Sequence, residues 1–135
     1  IHIRVLGAEQ GPGVTENNAS AVLHVRFEPS GTSMLFTGDL EQEGFAALER
    51  ANRLPDRVHV LKMAHHGARN GGTRAVRLLQ PDIAVISVGK DNDYGHPHPD
   101  ILAALTQTGA RVLRTDELGS LWIRFSRDGF STGRF

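Results

Sequence analysis

Val58-His59-Val60-Leu61-Lys62-Met63-Ala64-His65-His66-Gly67 is the stretch that decides how this sequence folds. Residues 58 to 63 are rich in aliphatic side chains and read as a strand, which delivers the chain to two adjacent histidines and a glycine. On either side the pattern is helical. Glu43 to Asn52 places Phe45 and Leu48 three apart above a polar face, and Thr73 to Gln80 turns Val76 and Leu79 inward before Pro81 stops it. Ile83 to Val88 is an almost unbroken apolar run, as expected of a strand covered on both faces. A polar loop, Gly89 to His98, then leads into a helix with Pro99 near its start, Ile101, Leu102 and Leu105 on one stripe, and Gly109 just past its end. Residues 111 to 115 and 120 to 125 read as strands joined by a turn at Asp116-Glu117-Leu118-Gly119. Strands alternating with helices predict an α/β layer.

Ahead of that layer the period changes to two. Residues 2 to 6 predict a strand and Gly7 to Asn18 a loop. From Ser20 to Phe27 the apolar Leu23, Val25 and Phe27 alternate with His24 and Arg26. Pro29-Ser30-Gly31 makes a turn, and Ser33 to Thr37 returns as the second arm of a hairpin. It runs out into Thr37-Gly38-Asp39.

The 135 residues are 39% hydrophobic and 22% charged, with Lys+Arg 15 balancing Asp+Glu 15. That composition fits one soluble globular domain or part of one, and excludes a disordered polyelectrolyte. No apolar run approaches the roughly 20 residues of a spanning helix. Net charge zero gives no global attraction to nucleic acid, and zero cysteines remove disulfides, thiolate zinc sites and cysteine nucleophiles together. The arginines at 111, 114, 124, 127 and 134 either track a phosphate backbone or form a solvated sheet face.

The polar residues fall in a regular place. Asp39 follows the strand at 33 to 37, His65 and His66 follow the strand at 58 to 63, and His96 and His98 lie in the loop after the strand at 83 to 88. Residues beyond the C-terminal strand ends of an α/β sheet share one edge, where ligands bind. Carboxylate and neutral imidazole together are the ligand set of hydrolytic zinc, manganese or iron sites. Each piece also has a structural reading: Asp39 as a turn or cap residue, the histidine pair as a helix start or exposed loop, and Gly-His-Pro-His-Pro as a rigid loop entering a helix.

Thr37-Gly38-Asp39, Val60 to Gly67, Val85-Ile86-Ser87-Val88-Gly89 with Tyr94-Gly95-His96-Pro97-His98-Pro99, and Arg111 to Asp116 together resemble the C-terminal half of a metallo-β-lactamase-fold domain. More narrowly they resemble the hydrolase domain of the ComEC competence-protein family and its soluble relatives, with Asn17-Asn18-Ala19-Ser20 fitting that group. The resemblance runs over roughly residues 17 to 125. It implies an αββα sandwich, mixed sheet with flanking helices, of which residues 1–135 are a single partial domain. It also implies a site for two divalent transition-metal ions, zinc or manganese, between two halves. By that similarity Asp39 is the bridging carboxylate and His66, which directly precedes the glycine, the histidine ligand, with His65 as the alternative. His65 then orients the ligand or touches substrate, His96 contacts phosphate or donates a proton, and Asn18, Ser20 and His98 contact substrate.

Two departures qualify the resemblance. The family's leading His-x-His-x-Asp-His motif does not occur in these residues, and Ala68 stands where a serine commonly follows His-His-Gly, with Asn70 as a substitute donor. With Ile1 in place of a methionine, the expectation is a C-terminal piece of a longer hydrolase, active when an N-terminal half of the same domain completes it. A half-sandwich would otherwise leave a large apolar surface uncovered. The expected activity is that of a metal-dependent hydrolase acting as a phosphodiesterase or nuclease on nucleic acid. The alternatives are a hydrolase of lactone, thioester or phosphocholine esters, and a non-catalytic binding or regulatory module on the same scaffold. No membrane contact by the chain itself is expected. The sequence leaves the compartment open, with the cytoplasm slightly favoured and an extracytoplasmic place expected if the chain is attached to a ComEC-like membrane protein.

Overall fold

A computed structural model describes residues 1–7 and 13–135. Its centre is a six-stranded mixed sheet in the order β1 (His2–Gly7), β2 (Val22–Phe27), β3 (Thr32–Phe36), β4 (Val60–Lys62), β5 (Ile83–Ile86) and β6 (Arg111–Arg114). The first two pairings are antiparallel and the last three parallel. Hence β3, β4 and β5 are parallel neighbours, and their C-terminal ends lie along one edge. The crossovers are α1 (Gln42–Arg50), α2 (Thr73–Leu79) and α3 (Pro99–Gln107). The molecule is α/β with helices flanking a mixed sheet.

Alternation sorts the sheet's side chains. Leu35, Leu61, Ala84 and Ile86 join Phe45 and Leu48 of α1, Val76 and Leu79 of α2, and Ile101 and Leu105 of α3 in one buried cluster. Leu6 and Val22 reach the same cluster, aided by a register shift between Val5 and Gly7. The other face of β1 to β3 carries two apolar rows, Ile3-Val25-Met34 and Val5-Leu23-Phe36, set by the pairing register. Among the described residues no helix covers the outer part of these rows, where Ile3 is 60%, Val5 68% and Phe36 39% exposed, whereas Met34 is buried. The apolar stripe Leu23, Val25, Phe27 read from the sequence therefore lies on the open side, half-buried, while the fully buried residue of β2 is Val22.

Element ends lie within about two residues of the sequence reading, and three differences have a visible cause. The strand expected from Ser20 begins at Val22, because Asn17 to Ala19 form a turn in which the Ser20 amide donates to the Asn17 carbonyl, 3.1 Å. The turn expected at 116 to 119 is a one-turn helix, α4 (Thr115–Leu118), ended by Gly119 at φ 74°. The strand at 120 to 125 is β7 (Leu121–Ser126), and it pairs antiparallel with an eighth strand, β8 (Gly129–Arg134), as a separate two-stranded sheet. The hairpin sits beside β6 and sends Phe130 edge-on to His59, ring centroids 6.3 Å apart. Among the described residues, no helix is long and apolar enough to cross a membrane.

Candidate metal centre and substrate groove

Asp39 and His66 meet at the adjacent ends of β3 and β4. The His66 Nδ1 lies 2.7 Å from the Ser87 carbonyl oxygen. A carbonyl only accepts, so Nδ1 carries the proton and the neutral ring's Nε2 lone pair is free. That Nε2 stands 3.6 Å from Asp39 Oδ1. Two donors bound about 2.1 Å from one tetrahedral ion are separated by roughly 3.4 Å. The pair thus has the chemistry and spacing of two ligands of one ion, with the backbone of the β5 exit fixing the tautomer. Among the described residues, no group of three or more His, Cys, Asp or Glu side chains could hold a metal. These residues fit a metal as part of a ligand set.

The loops that carry them are tightly constrained. Gly38 has φ +54°, and a Cβ there would stand 3.0 Å from the Ser20 Cβ. Ser20 Oγ accepts the Asp39 amide hydrogen at 3.1 Å, and the His65 amide donates to the Gly38 carbonyl at the same distance. Thr37 Oγ1 donates to the Lys62 carbonyl at 2.7 Å. These bonds lock the β3 and β4 exits together. His65 (φ 46°, ψ 45°) and His66 (φ 54°, ψ 22°) are both left-handed, a conformation that costs about 1–2 kcal/mol for each non-glycine residue. Gly67 follows at φ +80°, where a Cβ would come within 2.7 Å of Pro97 Cβ. Gly67 thereby lets the His96-Pro97-His98 segment approach, and the His98 amide donates to its carbonyl at 2.8 Å.

His65 lies between the Asp39–His66 pair and the third loop. Its ring is 6.5 Å from that of His66 and 6.0 Å from that of His96. Its Nδ1 is buried without a hydrogen-bond partner, 3.7 Å from Glu41 Oε1, which already accepts from Asn17 Nδ2. Burial and the nearby imidazoles of His65, His66 and His98 hold His96 below the usual histidine range. Burial likewise lowers Lys62, partly offset by the Asp39 carboxylate. A groove of about 560 Å³, lined by His65, Arg69, Asn70, Thr73 and His96 among others, opens beside the site; ligand sites typically run to ~300–1,000 Å³.

The sequence-derived candidates do not all converge. Asp39, His65, His66 and His96 share one edge, and Ser20 is one hydrogen bond behind Asp39. Asn18 is buried, and its Oδ1 accepts the Glu41 and Gly44 amides, both at 3.1 Å, so it caps α1 from a separate segment. His98 is the N-cap of α3, with Nδ1 accepting the Asp100 amide at 3.2 Å. Asn70 and Ala68 both line the groove. Of the C-terminal arginines, Arg114 is bound by Asp116 at 2.6 Å and Glu117 at 2.9 Å, and Arg124 lies over the Trp122 ring at 5.3 Å. Three contributors were missed by sequence reasoning. Ser87 acts through its backbone carbonyl, which leaves no sequence signal. Glu41 stands two residues after Asp39, a spacing visible in the sequence, and its carboxylate faces His65. Asn92 holds the loop after β5 by donating to the Gly89 and His96 carbonyls and accepting the His96 amide, at 3.1, 2.8 and 3.0 Å.

No family model matches the chain. It is 40% identical over 127 residues to ComE operon protein 3 of Bacillus subtilis (strain 168), covering 93% of this chain and 16% of that protein. It is 28% identical over 135 residues to Competence protein ComA of Neisseria gonorrhoeae, covering 99% of this chain and 19% of that protein. Recombination protein 2 of Haemophilus influenzae is 26% identical over 129 residues, 95% of this chain and 16% of that protein. The chain thus spans less than a fifth of the length of each relative. Nearly every residue of it has a counterpart in proteins named for competence and recombination, and to a segment of those proteins it is homologous.

Proposed function

We propose that the chain is the C-terminal half of a metallo-β-lactamase-like domain whose completed site hydrolyses phosphodiesters of DNA during competence. The observation that carries this is the Asp39–His66 pair, 3.6 Å apart at adjacent parallel strand ends with the His66 tautomer set by Ser87. The relatives' names support nucleic acid as the material handled. The open apolar rows of β1 to β3 support a second half-domain as the partner, since a face with Ile3, Val5 and Phe36 exposed is stabilised by cover. That partner would bring the remaining ligands.

Asp39 and His66 would hold zinc or manganese, which supplies a bound water acidified toward neutral pH and positive charge against phosphoryl oxygens. The chain's own residues do the rest. Ser87 keeps the His66 lone pair aimed at the site, and Ser20 fixes the loop from which Asp39 projects. His96 Nε2 or Nδ1 hydrogen-bonds the departing oxygen, and His65 orients the phosphate between His66 and His96. Arg69, Asn70 and Thr73 donate to the strand lying in the groove.

The test is elemental metal analysis of the full-length protein carrying this sequence, against an Asp39→Ala, His66→Ala variant. About two transition-metal ions per molecule, lost in the variant, together with zinc- or manganese-dependent cleavage of an oligonucleotide, is the expected result. Absence of bound metal after reconstitution with both ions would sink the hydrolase reading.

A further inference from the structure

Tyr94 is the most exposed aromatic residue near the site, at 82%. It is not adrift. Its ring stacks against His96 with centroids 5.8 Å apart and planes 22° from parallel. The loop beneath is held by the three Asn92 hydrogen bonds, two of them to the backbone of His96 itself. The His96 ring lies offset against one side of the phenol ring, which at 82% exposure still presents a free face to solvent, next to a groove that His96 also lines. Nothing in the fold needs a large aromatic ring at this position: a Tyr side chain this exposed contributes little to a core, and the neighbouring Gly95 has open space around it.

We propose that Tyr94 is a stacking platform for an unpaired nucleobase, placing one nucleotide of a single-stranded substrate beside the phosphate contacted by His96. The proposal rests on the phosphodiesterase reading and specifies its substrate. Flat apolar faces of bases are accessible only in single strands, at ends or when flipped out, because a duplex buries them against one another. An aromatic ring presenting one free face selects for that form. Stacking is tolerant of sequence, since every base has such a face, so the preference is for strand state and not for a motif. A net charge of zero gives the chain no general attraction for nucleic acid, which leaves base stacking to supply binding that phosphate contacts alone do not.

The experiment uses the full-length protein with two oligodeoxythymidylates, one carrying 2-aminopurine and the other an abasic tetrahydrofuran residue at the same position. Binding of the first should quench 2-aminopurine fluorescence, and Tyr94→Ala should abolish the quenching while Tyr94→Phe, which keeps the ring, retains it. In cleavage assays, Tyr94→Ala should raise KM on the base-bearing strand roughly 5- to 150-fold more than on the abasic strand, the range set by alanine substitution of stacking aromatics. Equal effects on both strands, or quenching that survives Tyr94→Ala, overturn the platform. Cleavage with no Tyr94-dependent discrimination rejects the platform and leaves the hydrolase standing. Tyr94-dependent quenching without cleavage does the reverse, and absence of both overturns the two together.

Discussion

Asn18→Ala separates two roles for one residue. In the structure its Oδ1 accepts two amides, those of Glu41 and Gly44, both at 3.1 Å, at the start of a helix whose N-cap residue makes no side-chain cap bond of its own. Loss of a cap costs about 0.5–2 kcal/mol, and the buried Gly44 amide left without a partner about 1–3 kcal/mol, with the half-buried Glu41 amide costing less. The segment around Asn18 borders a cleft lined by Val14, Thr15, Glu41 and Gly44, so water can recover part of this. The net is about 2–3 kcal/mol, a fall in Tm of roughly 6–12 °C for a domain of this size. Thermal denaturation measures the total, and hydrogen exchange at the Glu41 and Gly44 amides locates it. Asn18→Asp keeps the acceptor and adds a negative charge at a helix N-terminus, so it should keep most of the stability. If Asn18→Ala costs less than about 0.5 kcal/mol and instead raises KM, the capping argument fails and Asn18 is a substrate contact.

Two glycine substitutions separate strain from contact. Gly95→Ala at φ +69° meets open space and should cost about 1 kcal/mol, whereas Gly67→Ala at φ +80° also drives a methyl into Pro97 and should cost about 2–4 kcal/mol; equal denaturation midpoints would refute this. His24 is held below its usual 6.5 by burial, with Arg4, Arg26 and His2 adding to the effect. The unfolded chain therefore takes up the extra proton, so stability is full above about pH 6.5 and falls as the pH drops toward the folded-state value. Urea titrations at several pH values should show a flatter profile in His24→Gln. The hydrogen bond from Arg114 holds Asp116 below the carboxylate range, so its contribution is present above about pH 4 and lost as the pH falls through the lowered value. Asp116→Asn should reduce stability at pH 7 and remove that acid-side loss.

The edge bearing Asp39, His66 and His96 was legible because strand ends follow from apolar runs, and parallel neighbours bring those ends together. What was hidden depends on distant partners. Asn18 looks like any polar loop residue until Gly44, 26 positions later, is placed against it. His98 likewise reads as chemistry beside two prolines and serves as a helix cap. The β8 strand, Gly-Phe-Ser-Thr-Gly-Arg, has almost no apolar alternation, and pairing with β7 defines it. The phase of β2 follows the alternation, but which face meets the core is not written in it. Its apolar triplet lies half-buried on the face opposite the helices, while the residue that fills the core, Val22, lies on the face shared with His24 and Arg26.

The left-handed pair His65–His66 sets the fold against its own chemistry. Glycine at either position would relieve about 1–2 kcal/mol of backbone strain and lose about 0.5–1 kcal/mol to the greater freedom of the unfolded chain. The balance runs from about zero to about 1.5 kcal/mol in favour of glycine, and at 66 the lost hydrogen bond to the Ser87 carbonyl, about 0.5–1.5 kcal/mol, offsets it. A selection for thermal resistance alone, blind to activity, would therefore drift toward glycine at 65, where the imidazole Nδ1 has no hydrogen-bond partner, while the Ser87 carbonyl holds His66 in place.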